Sequence, residues 1–280
     1  MLETKNFLKA GVMGSPIKHS LSPLMHNYWF NQGNINGSYV PILTKPADLE
    51  MALGSLQSLG FSGCNLTIPL KEIALNFIDE LDEVAKIIGA VNCVTVKPNG
   101  TLHGTNYDWL GFINALKYEF PNLNLKKKVV SLIGAGGSSR AICYGLLREG
   151  VSQIRIVNRT RKKAEILSSD FGARLKVIDW EQRNSCLDHT DLLVNTTNQG
   201  MNTEKQLDLS LDALPERAIV YDIIYNPLET PLLKEAKNRG NKTLNGLSML
   251  VHQAIPAWSQ WFGITPEISE DLLKVMKKSV

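Results

Sequence analysis

Lys71 closes the run Asn65-Leu66-Thr67-Ile68-Pro69-Leu70, just past a strand-like segment. A lysine held among polar side chains can serve as an acid–base group; a surface lysine at a helix start is the competing reading. Asp108 ends Gly104-Thr105-Asn106-Tyr107-Asp108, where a carboxylate could pair with a lysine or a hydroxyl and also cap a helix. Asn92, in Gly89-Ala90-Val91-Asn92-Cys93-Val94, carries both a donor and an acceptor, which suits a hydroxylated ring. Ser20 and Ser22 sit two residues apart in His19-Ser20-Leu21-Ser22-Pro23, at a loop-to-helix junction. Two such hydroxyls with nearby N–H groups could bind a carboxylate, against plain N-capping by Ser22.

A second chemistry is written in Gly134-Ala135-Gly136-Gly137-Ser138-Ser139, an imperfect G-x-G-x-x-G whose third glycine position holds Ser139. Alone it is a tight turn. Placed directly after a strand and opening a helix, it is a phosphate-binding turn: glycines admit the pyrophosphate to the backbone and the helix N-terminus offers N–H groups. The next strand ends in Asn158-Arg159-Thr160-Arg161-Lys162-Lys163, with no acid to accept from a ribose hydroxyl. Arg159 could hold a 2′-phosphate by its fork geometry, with Thr160 donating a hydroxyl and Lys163 adding charge, so the cofactor expected is NADP. A merely solvated basic helix start is disfavoured, because positive charge there opposes the helix dipole.

These groups need elements to position them. Ser22-Pro23 should open a helix through Phe30, with Ser22 as N-cap and Pro23 at the first helical position. Tyr39–Leu43 and Phe61–Leu66 read as strands, and Pro46–Leu59 as a helix. Pro98-Asn99-Gly100 marks a hairpin between 90–96 and 101–104. Lys128–Ile133 is a buried parallel strand by its β-branched run, followed by a helix over 140–149 with Gly150 closing it. Strands at 153–157, 191–194 and 218–223, with a helix at 160–171, continue the alternation. The tail 247–280 is helical by pattern, and Thr265-Pro266-Glu267 looks like a helix start. Alternating strands and helices imply α/β architecture with parallel sheets. The expected division is a substrate-binding unit, 1–107 plus 247–280, and a nucleotide unit, 108–246, with ligands in the cleft between them.

At 280 residues the chain suits one large or two moderate domains. A 44% hydrophobic and 20% charged composition argues for a globular fold, and a net charge of +3 gives nucleic-acid binding little support. Lys126-Lys127-Lys128 reads as a solvated lead into a strand. Cys64, Cys93, Cys143 and Cys186 form no C-x-x-C pair, which suggests no metal site and fits a reducing cytoplasm. The N-terminus lacks an apolar export segment, and no stretch approaches the length of a membrane span, so neither export nor membrane association is expected.

Taken in order, GSPIKHSLSP, NLTIPLKE, GAVNCV, GTNYDWLGF, GAGGSSR, NRT, VNTT, YDIIYNP and NGLSMLVHQA resemble the shikimate dehydrogenase family, from Gly14 to Ala254. The resemblance implies a two-domain α/β protein: a substrate domain of N-terminal and C-terminal segments with a mainly parallel sheet, and a Rossmann-type NADP domain. It implies reversible, NADPH-dependent reduction of 3-dehydroshikimate to shikimate, a step towards chorismate and the aromatic amino acids. Lys71 and Asp108 match the catalytic pair. Ser20, Ser22, Asn65, Thr67, Asn92 and Gln253 match groups on the substrate carboxylate and hydroxyls, and Tyr225 matches a cleft tyrosine. Gly134, Ala135, Gly136, Gly137, Ser138, Asn158, Arg159, Thr160, Lys163, Thr196, Ile223 and Gly246 fall in the cofactor-binding motifs. Ser138 stands where alanine is frequent, Lys163 where arginine is frequent, and Asn198 varies the VNTT motif's continuation. The partner implied is a small-molecule substrate, with no metal, and the chain is expected to be a monomer or homodimer. An NAD-preferring quinate/shikimate dehydrogenase is disfavoured by Arg159 and the Ser20/Ser22 pair. A non-catalytic sensor of the same fold is disfavoured by the presence of both Lys71 and Asp108. A folate-type NADP dehydrogenase would not need the HSLSP serines.

Overall fold

The computed structural model describes residues 7–202 and 204–280. The reading of the first residues as free of an export segment therefore falls partly outside the described residues. By contacts the chain forms two compact units. The first runs to Tyr107 and resumes over Gln253–Ser279; the second is Asp108–His252 with the terminal Val280. The later division lies between His252 and Gln253, inside a helix, whereas the sequence suggested 246/247.

In the first unit, β1 (Leu8–Gly14), α1 (Ser22–Gln32), β2 (Gly37–Leu43), α2 (Leu49–Gly54), β3 (Gly63–Leu66), α3 (Leu70–Ile73), β4 (Glu80–Leu81), α4 (Glu83–Ile88), β5 (Cys93–Val96) and β6 (Leu102–Thr105) follow one another. The sheet order is β2-β1-β3-β5-β6-β4. β1 pairs in parallel with β2 and β3, β4 with β6, and β3-β5-β6 are antiparallel. The expected hairpin is the β5–β6 connection, and Gly100 takes the positive φ of +90° that its turn needs. Met13, Leu49, Leu53, Leu66, Leu70 and Val94 are among the buried residues that join the sheet to its short helices.

In the second unit come α5 (Asp108–Glu119), β7 (Val129–Ile133), α6 (Gly137–Arg148), β8 (Gln153–Val157), α7 (Arg161–Phe171), β9 (Leu175–Ile178), β10 (Leu192–Asn195), β11 (Ile219–Asp222), α8 (Pro231–Asn238) and β12 (Lys242–Leu244). Then α9 (Leu247–Phe262) crosses the division, and α10 (Glu270–Lys278) belongs to the first unit. All strands of this sheet are parallel, ordered β12-β11-β10-β7-β8-β9. That is the doubly wound dinucleotide-binding order, with its switch point between β7 and β10. Successive residues serve opposite faces: Leu192, Val194, Ile219 and Tyr221 join the core under α5, α6 and α7, while Leu193 and Val220 join the core under α8.

The helix expected over Pro46–Leu59 shortens to Leu49–Gly54 after a 3-10 turn, the strand expected over 90–96 begins at Cys93, and three expectations about helix starts change. Ser22 is the first residue of α1, not its cap; its backbone N–H donates to Ser20 Oγ at 3.3 Å. The helix after the glycine turn begins at Gly137, earlier than 140, so half the turn is already helical. The last helix starts at Glu270, where Ser269 Oγ accepts from Leu272 N at 3.1 Å, and not at 265–267. No helix among the described residues is long and apolar enough to cross a membrane.

Candidate active site

In the first unit the expected substrate groups lie at the carboxyl ends of β1 and β3 and around β5. Asn65, near the end of β3, is buried, and its amide is fixed at both ends. Tyr39 Oη donates to Asn65 Oδ1 at 2.7 Å, and Asn65 Nδ2 donates to the Asn92 carbonyl at 3.1 Å. Asn92 Nδ2 donates to Gln253 Oε1 at 3.1 Å, and Asn92 Oδ1 accepts from Tyr107 N at 2.7 Å. The buried Ser22 side chain is hydrogen-bonded to the Tyr39 phenol, whose pKa burial raises well above its usual value and the Ser22 bond lowers. Ser22, Tyr39, Asn65, Asn92 and Gln253 thus form one hydrogen-bonded series joining α1, β2, β3, the lead into β5, and α9. Thr67 follows β3; its methyl lies where a Cβ on Gly14 would be, 2.3 Å away, so glycine there lets the two strand ends close up. Lys71 is half-buried in α3, and its carbonyl accepts from Val91 N at 2.8 Å, which ties it to the Asn92 segment. Ser20 is half-buried beside the start of α1. The series has two uses: amides with fixed orientation can read ring hydroxyls, and serine hydroxyls can hold a carboxylate.

In the second unit the glycine turn leaves β7 at the switch point. Gly134 has φ +113°, and a Cβ on it would lie 2.4 Å from Thr196 Oγ1. Ser139, in the third glycine position, has its own work: its hydroxyl accepts from Gly136 N at 3.1 Å and bonds Thr196 Oγ1 at 2.7 Å. Thr196 Oγ1 in turn donates to the Ile133 carbonyl at 2.7 Å. The turn from Gly134 to Gly137, with Ala135 and Ser138, is therefore pinned to the loop after β10. The first N–H groups of α6 lack intrahelical acceptors, as a helix start must. This cradle fits a dinucleotide's phosphates: a side chain at Gly134 would fill it, and its donors are backbone N–H and hydroxyl.

Asn158 at the end of β8 donates to the Thr160 carbonyl at 2.8 Å, and Arg159, Thr160 and Lys163 are exposed beside it. Arg161 is engaged by Glu165 at 2.8 Å and by Asp179, whereas Arg159 and Lys163 make no ion pair among the described residues. Two cations thus remain available to an anion. Gly246 lies between β12 and α9, against the loop after β11: a Cβ there would lie 1.9 Å from the Ile223 carbonyl oxygen, and Gly246 N donates to the Ile224 carbonyl at 2.9 Å. Ile223 and Gly246 are therefore brought together. Tyr225 follows them, half-buried, and Asp108 is the buried first residue of α5.

Two family models match. One, a shikimate dehydrogenase substrate binding domain, covers residues 12–94; the other, shikimate / quinate 5-dehydrogenase, covers 115–224. The shikimate dehydrogenase (NADP(+)) of Dinoroseobacter shibae is 44% identical over 263 residues, 94% of this chain and 95% of that one. The chain belongs to the shikimate dehydrogenase family. The Aquifex aeolicus shikimate dehydrogenase superposes with a TM-score of 0.87 at 36% identity, covering 99% of both chains. The Thermus thermophilus shikimate 5-dehydrogenase, solved with NADP(H) and shikimate, gives 0.86 at 34% identity, covering 98% of this chain and 100% of that one. The two-domain α/β fold of the family is the fold seen here.

Sequence reading passed over three polar groups of these networks. Tyr39 was read only as the start of a strand; its signal was that a buried tyrosine hydroxyl needs a partner. Asn195 and Asp222, at the ends of β10 and β11, lie inside quoted family motifs but were given no role. A separate cavity of about 380 Å³, lined in part by Glu50, Gln57, Phe77 and Asp79, contains none of the expected site residues.

Proposed function

We propose that the chain is an NADP-dependent shikimate dehydrogenase, reversibly reducing 3-dehydroshikimate to shikimate. The observation that carries this reading is the buried hydrogen-bonded series Ser22–Tyr39–Asn65–Asn92–Gln253 with Lys71 tied to it, in a chain of this family. Ser20 and Ser22 hold the substrate carboxylate, and Asn65, Thr67, Asn92 and Gln253 bind its carboxylate or ring hydroxyls. Tyr225 is a further substrate-binding residue. The cofactor is held by the Gly134–Ser138 turn, Asn158, Arg159, Thr160, Lys163, Thr196, Ile223 and Gly246, with Arg159 and Lys163 on the 2′-phosphate. Bound NADPH supplies a hydride to the 3-keto carbon. As negative charge grows on the ketone oxygen, Lys71 Nζ stabilises it and delivers a proton there; in the reverse direction the neutral amine removes the hydroxyl proton. Asp108 orients Lys71 and accepts from the neighbouring ring hydroxyl. The residue division is 1–107 with 247–280 for substrate and 108–246 for nucleotide. The protein works as a monomer or homodimer in the cytoplasm, where its four free cysteines, three of them buried, stay reduced.

The test is NADPH absorbance in initial-rate assays pairing shikimate and quinate with NADP and NAD. Contacts from charged groups to the 2′-phosphate should favour NADP roughly tenfold to a hundredfold. Equal use of NAD, or of quinate, would overturn the stated specificity; no turnover in any pairing would remove the enzymatic reading.

A further inference from the structure

Asp222, the last residue of β11, is fully buried, and its carboxylate makes no ion pair among the described residues. Three neutral donors converge on it. Oδ1 accepts from Asn195 Nδ2 at 3.0 Å and from Ile224 N at 3.2 Å; Oδ2 accepts from Thr230 Oγ1 at 2.7 Å. Burial without a counter-ion pushes the carboxyl up to about 6, with the three donors pulling the other way. A buried acid kept at that cost needs a reason.

Its partners give one. Asn195, paired with Asp222 across the parallel β10–β11 ladder, accepts at Oδ1 from Thr197 N at 3.1 Å and from Thr197 Oγ1 at 2.8 Å. Thr197 Oγ1 accepts from Gln199 N at 3.1 Å. This side-chain series shapes the loop after β10, whose Thr196 is bonded to Ser139 of the glycine turn. On the other side, Asp222 fixes Ile224 N, and the Ile224 carbonyl accepts from Gly246 N. One carboxylate thus joins the loops after β10 and β11, which carry Thr196 and Ile223, and the second of these reaches Gly246 after β12 through the Ile224 carbonyl.

We propose that Asp222 is a positioning residue for the cofactor: through Asn195–Thr197 and through Ile224 it sets the loops after β10 and β11 in the conformation that receives NADP(H). This rests on the cofactor reading given above. The oxygen that holds the loops is Oδ1, while Oδ2 only meets a hydroxyl, which can donate or accept. An amide in its place, with Nδ2 turned to Thr230, keeps both loop contacts.

The experiment is equilibrium NADPH binding by fluorescence, with amide hydrogen exchange of residues 195–201 and 223–225 in the full-length protein without ligand. Asp222→Ala should speed exchange in both segments and weaken NADPH binding at least roughly tenfold, the equivalent of one or two lost hydrogen bonds. Asp222→Asn should restore binding to within about threefold and protect the segments again. Thr197→Val, which removes only the loop end of the series, should weaken binding roughly threefold and guards against a folding failure in the alanine variant. Faster exchange with unchanged NADPH affinity in Asp222→Ala or Thr197→Val overturns the inference while leaving the cofactor reading intact. An Asp222→Asn variant as weak as Asp222→Ala overturns it too, because charge and not geometry would then be at work. Failure of the unmodified protein to bind NADPH sinks the cofactor reading, and this inference with it.

Discussion

Lowering the pH from about 7 to about 4.5 should destabilise the first unit through His26, and replacing that histidine by phenylalanine should remove the effect. His26 is fully buried in α1. Its ring stacks on Tyr39 at 4.0 Å and on Trp258 at 5.6 Å, with Trp29 edge-on at 5.2 Å. Neither ring nitrogen has a hydrogen-bond partner among the described residues, so desolvation lowers the pKa from 6.5 to about 3. The unfolded chain binds a proton between those values and the folded chain does not. Stability from this group is therefore fully present above about pH 6.5 and is lost as pH falls towards the folded value. At about pH 4.5 the loss is about 2.5 kcal/mol, and since the folded value lies below the assay pH, the unfolded chain's value sets that figure. Against a usual total of about 5–15 kcal/mol this is a large fraction. Urea unfolding read by tryptophan fluorescence suits the measurement, because Trp29 and Trp258 contact the ring. His26→Phe should show a pH-dependent loss smaller by about 2.5 kcal/mol, and at neutral pH should gain about 1 kcal/mol from removal of unpartnered nitrogens. Taking the difference between the two proteins cancels Asp222, whose raised value acts with the opposite sign. The same acid loss in both proteins, or a His26 ring signal titrating near its ordinary value by NMR, would refute the reasoning.

Lys71→Ala should lower kcat by roughly a hundredfold or more while shifting the shikimate KM by no more than about threefold; a large KM rise at unchanged kcat would reduce Lys71 to a binding group. Gly246→Ala drives a methyl into the Ile223 carbonyl and should cost at least about 1–3 kcal/mol, read as a lower Tm. Gly54→Ala, at a helical position with nothing within 4 Å of the added methyl, is the control and should gain about 0.5–1 kcal/mol.

Legibility divided along a physical line. β7, the glycine turn and β8 could be read because Lys128–Ile133 and Gln153–Val157 are β-branched runs with unmistakable punctuation between them. β9 and β12 were missed: four and three residues long, they owe their strand state to the parallel neighbours β8 and β11. The last helix begins at Glu270 and not at the expected Thr265-Pro266-Glu267, because the Ser269 hydroxyl accepts from Leu272 N and caps it there. Ser22 illustrates a tertiary override. Its local pattern is that of a cap, but its side chain turns to Tyr39, and the N–H of this first helical residue is received by Ser20 Oγ. The glycine turn between β7 and α6 was legible because it is built from contiguous residues. The links Asn65–Asn92 and Asn92–Gln253 span 27 and 161 residues of chain, and no local pattern encodes them.

The two units solve one problem with different chemistry. Each holds polar groups rigid at strand ends. In the first unit the series runs through neutral side chains, the hydroxyls of Ser22 and Tyr39 and the amides of Asn65, Asn92 and Gln253. In the second an aspartate takes the central place, and its rise from the ordinary 3.8 to about 6 corresponds to about 3 kcal/mol against the ionised form. Geometry accounts for the difference. Asn65 has one donor and one acceptor to satisfy, which an amide matches. Asp222 faces three donors and no acceptor, and an amide there must turn one end to Thr230, the one partner whose hydrogen can move. On the reading proposed above, the exposed Arg159 and Lys163 would supply affinity for the cofactor and the buried networks orientation.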